Sequence, residues 1–451
     1  MKKLMLLFGT ASLFCLSAAS GGAPEKARVA ADLSFERLLA ALAADHDKGL
    51  SLPPAVPDAA ASELRDRYWI TVRAADKRER TRLLEAGLSI EEMTGDSVSG
   101  TIHRNSLELL SEKGFVVEQR RTLAEYMRAE GKDFPAADSA YHNYQETADL
   151  LRSLAAKNTD IASLFSLGRT IEGREMWTLR LNTSAKGEEP SSKPGAYFVG
   201  THHAREHLAT EVPLFFAVWL LDNRNAPDVK KYIDTLDIYI TPMLNPDGVE
   251  YDIRGGRYRM HRKNARANSD GSVGVDLNRN YDSWWCTAGA SSYPRSDTYC
   301  GTAPFSEPET QAVKRFVETR KNLKTLMSYH SFSNLILYPW GGKDAPVENE
   351  RDRAVFSEMG AEMGRLTGYR AQLASDLYVA TGDTCDWAYK QSGIFAFTTE
   401  LEGGSFYPGT GIIERTVRNN VKAAVYLLGA TSDPYSVLRR QSGSVGQEEV
   451  R

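Results

Sequence analysis

AYFVGTHHAREHLATEVPLFFAVWLLD, Ala196–Asp222, holds a strand, a turn and a helix in one stretch. Ala196–Gly200 is a short apolar run closed by glycine, as in a strand buried on both faces. Glu211–Asp222 is long enough and apolar enough for a buried helix. Between them, Thr201–Leu208 reads THHAREHL and concentrates imidazole, guanidinium and carboxylate groups. Such groups after a strand's C-terminal end stand where open α/β sheets form their crevices.

Working outward, the pattern repeats. Tyr144–Ala155 is an amphipathic helix, and Ile238–Leu244, Leu326–Tyr329, Leu335–Tyr338 and Phe395–Leu401 read as strands. Alternation of this kind predicts an α/β fold with a mostly parallel or mixed central sheet. Upstream lies a smaller unit: strand Tyr68–Arg73, helix Lys77–Ala86, strand Val98–His103, helix Ser106–Lys113 and strand Phe115–Gln119. This order suggests a separate α+β module, about 64–120, with a structural or inhibitory role. The polar segment Arg120–Lys132 follows, with Arg120, Arg121, Arg128 and Lys132. Exposed basic linkers of this kind are readily nicked by proteases.

The ends carry their own signals. Lys2 and Lys3, the apolar run Leu4–Leu16 and the small residues Ser17–Ser20 form the three-part pattern of an export signal, 1–20. The segment 436–451 is polar and expected to be a disordered tail. An exported chain meets an oxidising compartment, so Cys286 and Cys300 are candidates to pair, the alternative being two free thiols. Pairing would contribute about 3 kcal/mol by closing the loop. The net charge of −4 argues against nucleic acid as a partner. No run of eighteen apolar residues follows the first twenty, so no membrane span is expected in the mature chain.

Zinc takes imidazole nitrogen and carboxylate oxygen, and catalytic sites use three protein ligands plus water. His203 and Glu206 lie three apart and point the same way within a turn. The third ligand should come from another strand end. His330, after Leu326–Tyr329, is preferred over His261 on that ground. Glu400 ends a further apolar strand and is the candidate base for a metal-activated water, with Glu402 as competitor on the Gly403–Gly404 turn. Arg262, Arg266, Asn278 and Arg279 form a dense donor set suited to a substrate carboxylate or a developing oxyanion.

These segments together resemble the zinc metallocarboxypeptidases of the carboxypeptidase A and B type. The matching stretches are DFPAADSAYHNY from Asp133, GRTIEGREMW from Gly168, HHAREHL, NPDG from Asn245 and GVDLNRNYD from Gly274. LMSYHSFS with LILYPWG, and ASDLYVATGDTCDWAY with IFAFTTE, complete an ordered set over about 300 residues. The resemblance implies a mixed eight-stranded central sheet flanked by helices. It also implies a catalytic domain at 133–435 and a propeptide at 21–132, whose small α+β module is a prodomain over the cleft. It implies one zinc on His203, Glu206 and His330, and Glu400 as base and proton shuttle. Arg205 would bind substrate, Asn278 and Arg279 would grip its terminal carboxylate, and Tyr378 would close over it.

The implied activity is secreted hydrolysis of the C-terminal peptide bond of peptides and proteins, after an endoprotease has activated a proenzyme. A cell-wall peptide or amide-conjugate hydrolase of the same family, and a non-catalytic peptide-binding relative, are the alternatives. Nothing in the sequence shows a structural calcium site. The resemblance also puts an oxyanion arginine last in Trp-Arg-Lys-Asn-Arg, where this chain reads His261-Arg262-Lys263-Asn264-Ala265. Either Arg266, one place later, takes the role or that stabilisation is weakened, with Arg262 next in line. Seven residues after Tyr378, Cys385 falls at the base of the implied specificity pocket, with Asp383 at its wall. A small, weakly polar base favours apolar and aromatic C-terminal residues, with basic residues also accepted.

Overall fold

Period-two apolar runs at the start of the described residues pair into a small sheet, and longer buried runs beyond build a large one. The computed structural model describes residues 66–123, 125–126, 138–254, 256 and 258–439. The expected signal at 1–20, the stretch before 66, the cleavage point near Lys132–Asp133 and residues 440–451 lie outside them. The described residues fall within one unit, 48–451.

The N-terminal module runs β1 (Arg67–Arg73), α1 (Lys77–Glu85), β2 (Ser89–Thr94), β3 (Ser97–His103), α2 (Arg104–Glu112) and β4 (Val117–Thr122). Its antiparallel sheet has the order β2-β3-β1-β4. Ile70, Val72, Leu83, Val98, Ile102 and Leu110 fill its core beneath α1 and α2. The sequence reading missed β2. Its buried positions are Ser89 and Glu91, so the inward face carries polar groups and hydrophobic alternation gives no signal.

The large region begins with α3 (Tyr144–Lys157), started by a capping box between Asn143 and Glu146. There follow β5 (Ala162–Arg169), β6 (Glu175–Leu181), β7 (Gly195–Gly200), α4 (Leu208–Asp222), α5 (Pro227–Thr235), β8 (Asp237–Thr241) and α6 (Pro246–Asp252). The chain continues through α7 (Pro308–Thr319), β9 (Leu323–Ser331), β10 (Leu335–Tyr338), α8 (Glu350–Thr367) and β11 (Arg370–Leu373). It finishes with α9 (Thr384–Ser392), β12 (Phe395–Leu401) and α10 (Ile413–Thr431). Eight strands form one mixed sheet, β11-β10-β12-β9-β7-β8-β6-β5. Its centre, β12-β9-β7-β8, is parallel, with antiparallel β6 and β5 on one side and antiparallel β10 on the other. Every residue of β7 is buried, as is all of α4 except Trp219 and the terminal Asp222, which accounts for their apolar sequences.

Within the segment expected as a tail, 436–439 is helical and Val437 is buried. Cys286 and Cys300 are disulfide-bonded, and Cys385 is free and buried. No helix among the described residues is long and apolar enough to cross a membrane.

Candidate active site and metal centre

The site starts at the abrupt end of β7. A side chain on Gly200 would lie 2.1 Å from the Ala209 carbonyl oxygen and 2.6 Å from that of Pro242, so only glycine lets the chain turn here. The turn delivers His203 and Glu206 below the start of α4, and β9 delivers His330 from the neighbouring strand. His203 Nδ1 lies 2.8 Å from Glu206 Oε1, and His330 Nδ1 lies 3.0 Å from Glu206 Oε2. The two Nδ1 atoms are 3.0 Å apart. All three residues are buried, and one ligand atom from each lies within 4.8 Å of the others.

Two imidazole nitrogens facing one another beside a buried carboxylate form a donor set that a cation completes, and nitrogen and oxygen donors suit zinc. The outer nitrogens are also engaged. His203 Nε2 lies 3.1 Å from Asp276 Oδ1, and His330 Nε2 lies 3.1 Å from Ser328 Oγ. Such partners fix ring orientation and leave the inner nitrogens for metal. Burial opposes ionisation of Glu206, but His203 and His330 outweigh it and hold the carboxyl far below its usual range.

Glu400 and Arg262 share a pocket with His203 and Glu206, together with Asn278, Arg279, Ser331, Phe332, Tyr378 and Phe406. Burial, and then the charge of Glu206, push Glu400 up to about 8, which a divalent cation on the adjacent ligands would oppose. Arg262 Nε donates to Asp276 Oδ2 at 3.0 Å, and its Nη1 is 3.8 Å from Glu206 Oε1. Arg279 is buried and held by the Gly289 carbonyl oxygen at 3.0 Å. Asn278 Oδ1 accepts from the Thr384 amide and hydroxyl, at 3.0 and 2.9 Å.

Several sequence expectations change here. Arg266 is outside the pocket lining: its Nε donates to Glu307 Oε2 at 3.0 Å and its side chain is over a third exposed. Arg262 stands in the pocket instead, because Asp276 draws it inward. Of the two arginines flanking Ala265, Arg262 is the one that lines the pocket. His261 packs on Tyr251 and contacts the Asn264 carbonyl, away from the ligands. Glu402 meets Thr416 and Arg415 rather than the pocket. His202 lies between Tyr281 and Thr384, and His207 on Asp252, so the dense histidines serve separate purposes.

Asp383 caps α9, accepting from the Cys385 and Asp386 amides at 2.9 and 3.0 Å, while its Oδ2 is buried without a hydrogen-bond partner. Cys385 Sγ lies 3.2 Å from Thr398 Oγ1 on β12, and burial pushes its thiol well up. Neither lines the pocket around Glu400.

Arg205 is fully buried against the N-terminal module: its Nη2 donates to Glu91 Oε1 at 2.5 Å and Ser89 Oγ at 3.0 Å. Ile90, Glu91 and Met93 of β2 also line the pocket. Sequence reasoning missed Asp276, which joins His203, Arg262 and the Asn278 amide. The signal was a carboxylate two residues before the Asn278-Arg279 pair.

The family model described as zinc carboxypeptidase matches residues 147–423. A zinc carboxypeptidase of Saccharothrix mutabilis subsp. capreolus is 32% identical over 387 residues, 80% of this chain and 88% of its own. Carboxypeptidase O of Bos taurus is 32% identical over 308 residues, 65% of this chain and 80% of its own. The crystal structure of carboxypeptidase A from Helicoverpa armigera superposes with a TM-score of 0.69 at 22% identity, over 82% of this chain and 98% of that one.

Proposed function

The chain belongs to the zinc carboxypeptidase family and is a zinc metallocarboxypeptidase, and from that premise we propose that it is an exported proenzyme that removes single C-terminal residues from peptides and proteins. The observation that carries this reading is one pocket lined by His203, Glu206, Glu400, Arg262 and the Asn278–Arg279 pair, with His330 buried against Glu206 behind it. His203, Glu206 and His330 would hold the one zinc of the family. When bound, such an ion polarises a carbonyl and acidifies water.

The other roles belong to this chain's own residues. Glu400 accepts the water proton at its carboxylate and returns it to the leaving amine. Arg262, steadied by Asp276, sets positive charge where the carbonyl oxygen becomes negative. Asn278 and Arg279 bind the terminal carboxylate, which limits cleavage to the last bond. Tyr378, beside Arg279, closes over the substrate.

The proenzyme reading is supported by β2, which lies across the pocket. It is further supported by α1: Arg80 Nε donates to the Leu377 carbonyl at 2.7 Å, and Thr81 Oγ1 accepts from the Val379 amide at 3.0 Å. Those bonds fall on both neighbours of Tyr378. Export rests on the basic, apolar and small-residue order of 1–20. The preference for apolar and aromatic residues is supported by the apolar group Leu335, Leu337 and Leu377, with Leu377 on the pocket lining; acceptance of basic ones rests on the buried Asp383 carboxyl beside Asp386.

The test is a peptide library incubated with the chain before and after limited proteolysis in the linker, with and without chelator, and read by mass spectrometry. Peptides shortened one residue at a time from the C-terminus, only without chelator, are expected. Internal cuts, or release only from amide conjugates, would overturn the reading.

A further inference from the structure

Arg67 of the module and Arg205 of the catalytic region reach for the same two acceptors. Arg67 Nη1 donates to the Met260 carbonyl at 3.2 Å, and its Nη2 pairs closely with Asp297 Oδ2. Arg205 Nη1 lies 3.4 Å from both. Thr101 of the module also donates to Asp297 Oδ2, at 2.9 Å. Asp297 itself belongs to the loop closed by Cys286–Cys300 and pinned by the Ser291–Thr298 and Cys300–Ser291 backbone bonds. These bonds lie within the catalytic region; the loop also meets the module where Thr298 Oγ1 donates to the Leu84 carbonyl at 3.4 Å and Tyr293 Oη accepts from Asn105 Nδ2 at 3.3 Å.

We propose that Asp297 is a positioning residue, which takes over Arg205 when the module leaves and holds it for the peptide segment preceding the scissile bond. The proposal rests on the proenzyme reading. In the intact chain two guanidinium groups, Arg67 and Arg205, meet two carboxylates, Glu91 and Asp297. Departure of the module removes one of each. Arg205 loses Glu91, Ser89 and Thr101 together, and Asp297 loses Arg67 and Thr101. The two survivors balance in charge, and the Met260 carbonyl passes to Arg205 alone.

The balance decides between two uses of Arg205. An unpaired guanidinium would select an acidic substrate side chain. One paired with Asp297 and stacked on Phe406, 4.2 Å from the ring, instead offers its remaining N–H groups to peptide carbonyls. Arg279 and Tyr378 mark the end that takes the terminal carboxylate, so Arg205 serves the residues upstream of it.

The test uses the full-length protein, folded intact and then cut in the linker, on an N-blocked dipeptide and an N-blocked pentapeptide that both end in Phe. Asp297→Asn should raise KM for the pentapeptide about tenfold and leave its kcat and the dipeptide within about twofold. Asp297→Glu should recover most of the loss. In an Arg205→Ala background, Asp297→Asn should add nothing. Equal KM changes for both lengths, a fall in kcat alone, or additive effects with Arg205→Ala would overturn the proposal. Failure of the proenzyme reading is seen separately, as wild-type chain that gains no activity on cutting. The same length comparison on intact chain then decides the role of Asp297.

Discussion

Glu400 and His330 are register partners on adjacent parallel strands, β12 and β9. Paired residues of neighbouring strands project to the same side of a sheet, so the backbone pairing itself sets Glu400, the proposed base, beside His330 of the metal centre. The β7–β9 pairing then brings the turn carrying His203 and Glu206 alongside. The site is therefore assembled by three neighbouring strand ends and does not depend on a flexible loop for its ligands.

Arg262 and Arg266 should separate cleanly. Arg262→Ala in the cut enzyme should lower kcat about 100- to 1,000-fold, the loss of one donor at the developing oxyanion. Arg266→Ala breaks only a partly exposed pair with Glu307 and should leave kcat within about twofold. Steady-state kinetics on one blocked peptide checks both, and a larger loss in Arg266→Ala would contradict the assignment.

Asp276→Asn should weaken zinc binding about 10- to 100-fold, because His203 loses the carboxylate that orients its ring. The measurement is zinc retained against a graded chelator series. Arg262 should also loosen, so kcat should fall in protein still fully loaded with zinc.

The central fold and the ligands were legible because they follow rules that residues state locally. Buried parallel strands are largely apolar, and β7, β9 and β12 each carry such a run; His203 and Glu206 follow the end of β7, His330 lies near the end of β9 and Glu400 near the end of β12. What was not legible depends on partners far away in sequence. Strand β2 hides its pairing because Glu91 faces Arg205, 114 residues on. Arg262 and Arg266 are indistinguishable as letters, and only Asp276 and Glu307 decide which turns inward.

Mild acid should not release the module. Burial would raise the Asp297 carboxyl, but Arg67 and Arg205 pull it down to about 2. A lowered carboxylate stabilises docking above its ordinary value near 3.9 and loses that effect only as pH falls towards about 2. Glu91 is raised by burial against the pull of Arg205, so falling pH does not weaken docking through this group. Intact chain held at about pH 5 and assayed at neutral pH should show no gain in activity. Glu91→Ala together with Arg67→Ala should show a gain without acid or protease. Activation by acid alone would contradict the sign.

Cys385→Asp should move preference toward C-terminal Arg and Lys, since a buried carboxylate pairs with those side chains and disfavours Phe and Leu. The measurement is the ratio of kcat/KM for matched peptides ending in Phe, Leu, Arg and Glu. Wild-type enzyme that strongly prefers Arg, or prefers Glu, would show that Asp383 dominates or that Cys385 is not the pocket base.

The most direct measurement is zinc content and C-terminal release, made side by side on cut wild-type chain and Glu400→Gln. Both proteins should carry one zinc per chain, since His203, Glu206 and His330 are intact in each. Wild type should release the last residue of a blocked peptide, and Glu400→Gln should release it at least about 1,000-fold more slowly, because the amide keeps the shape but cannot take the proton. Full turnover in Glu400→Gln, or release by wild type stripped of zinc, would contradict the account.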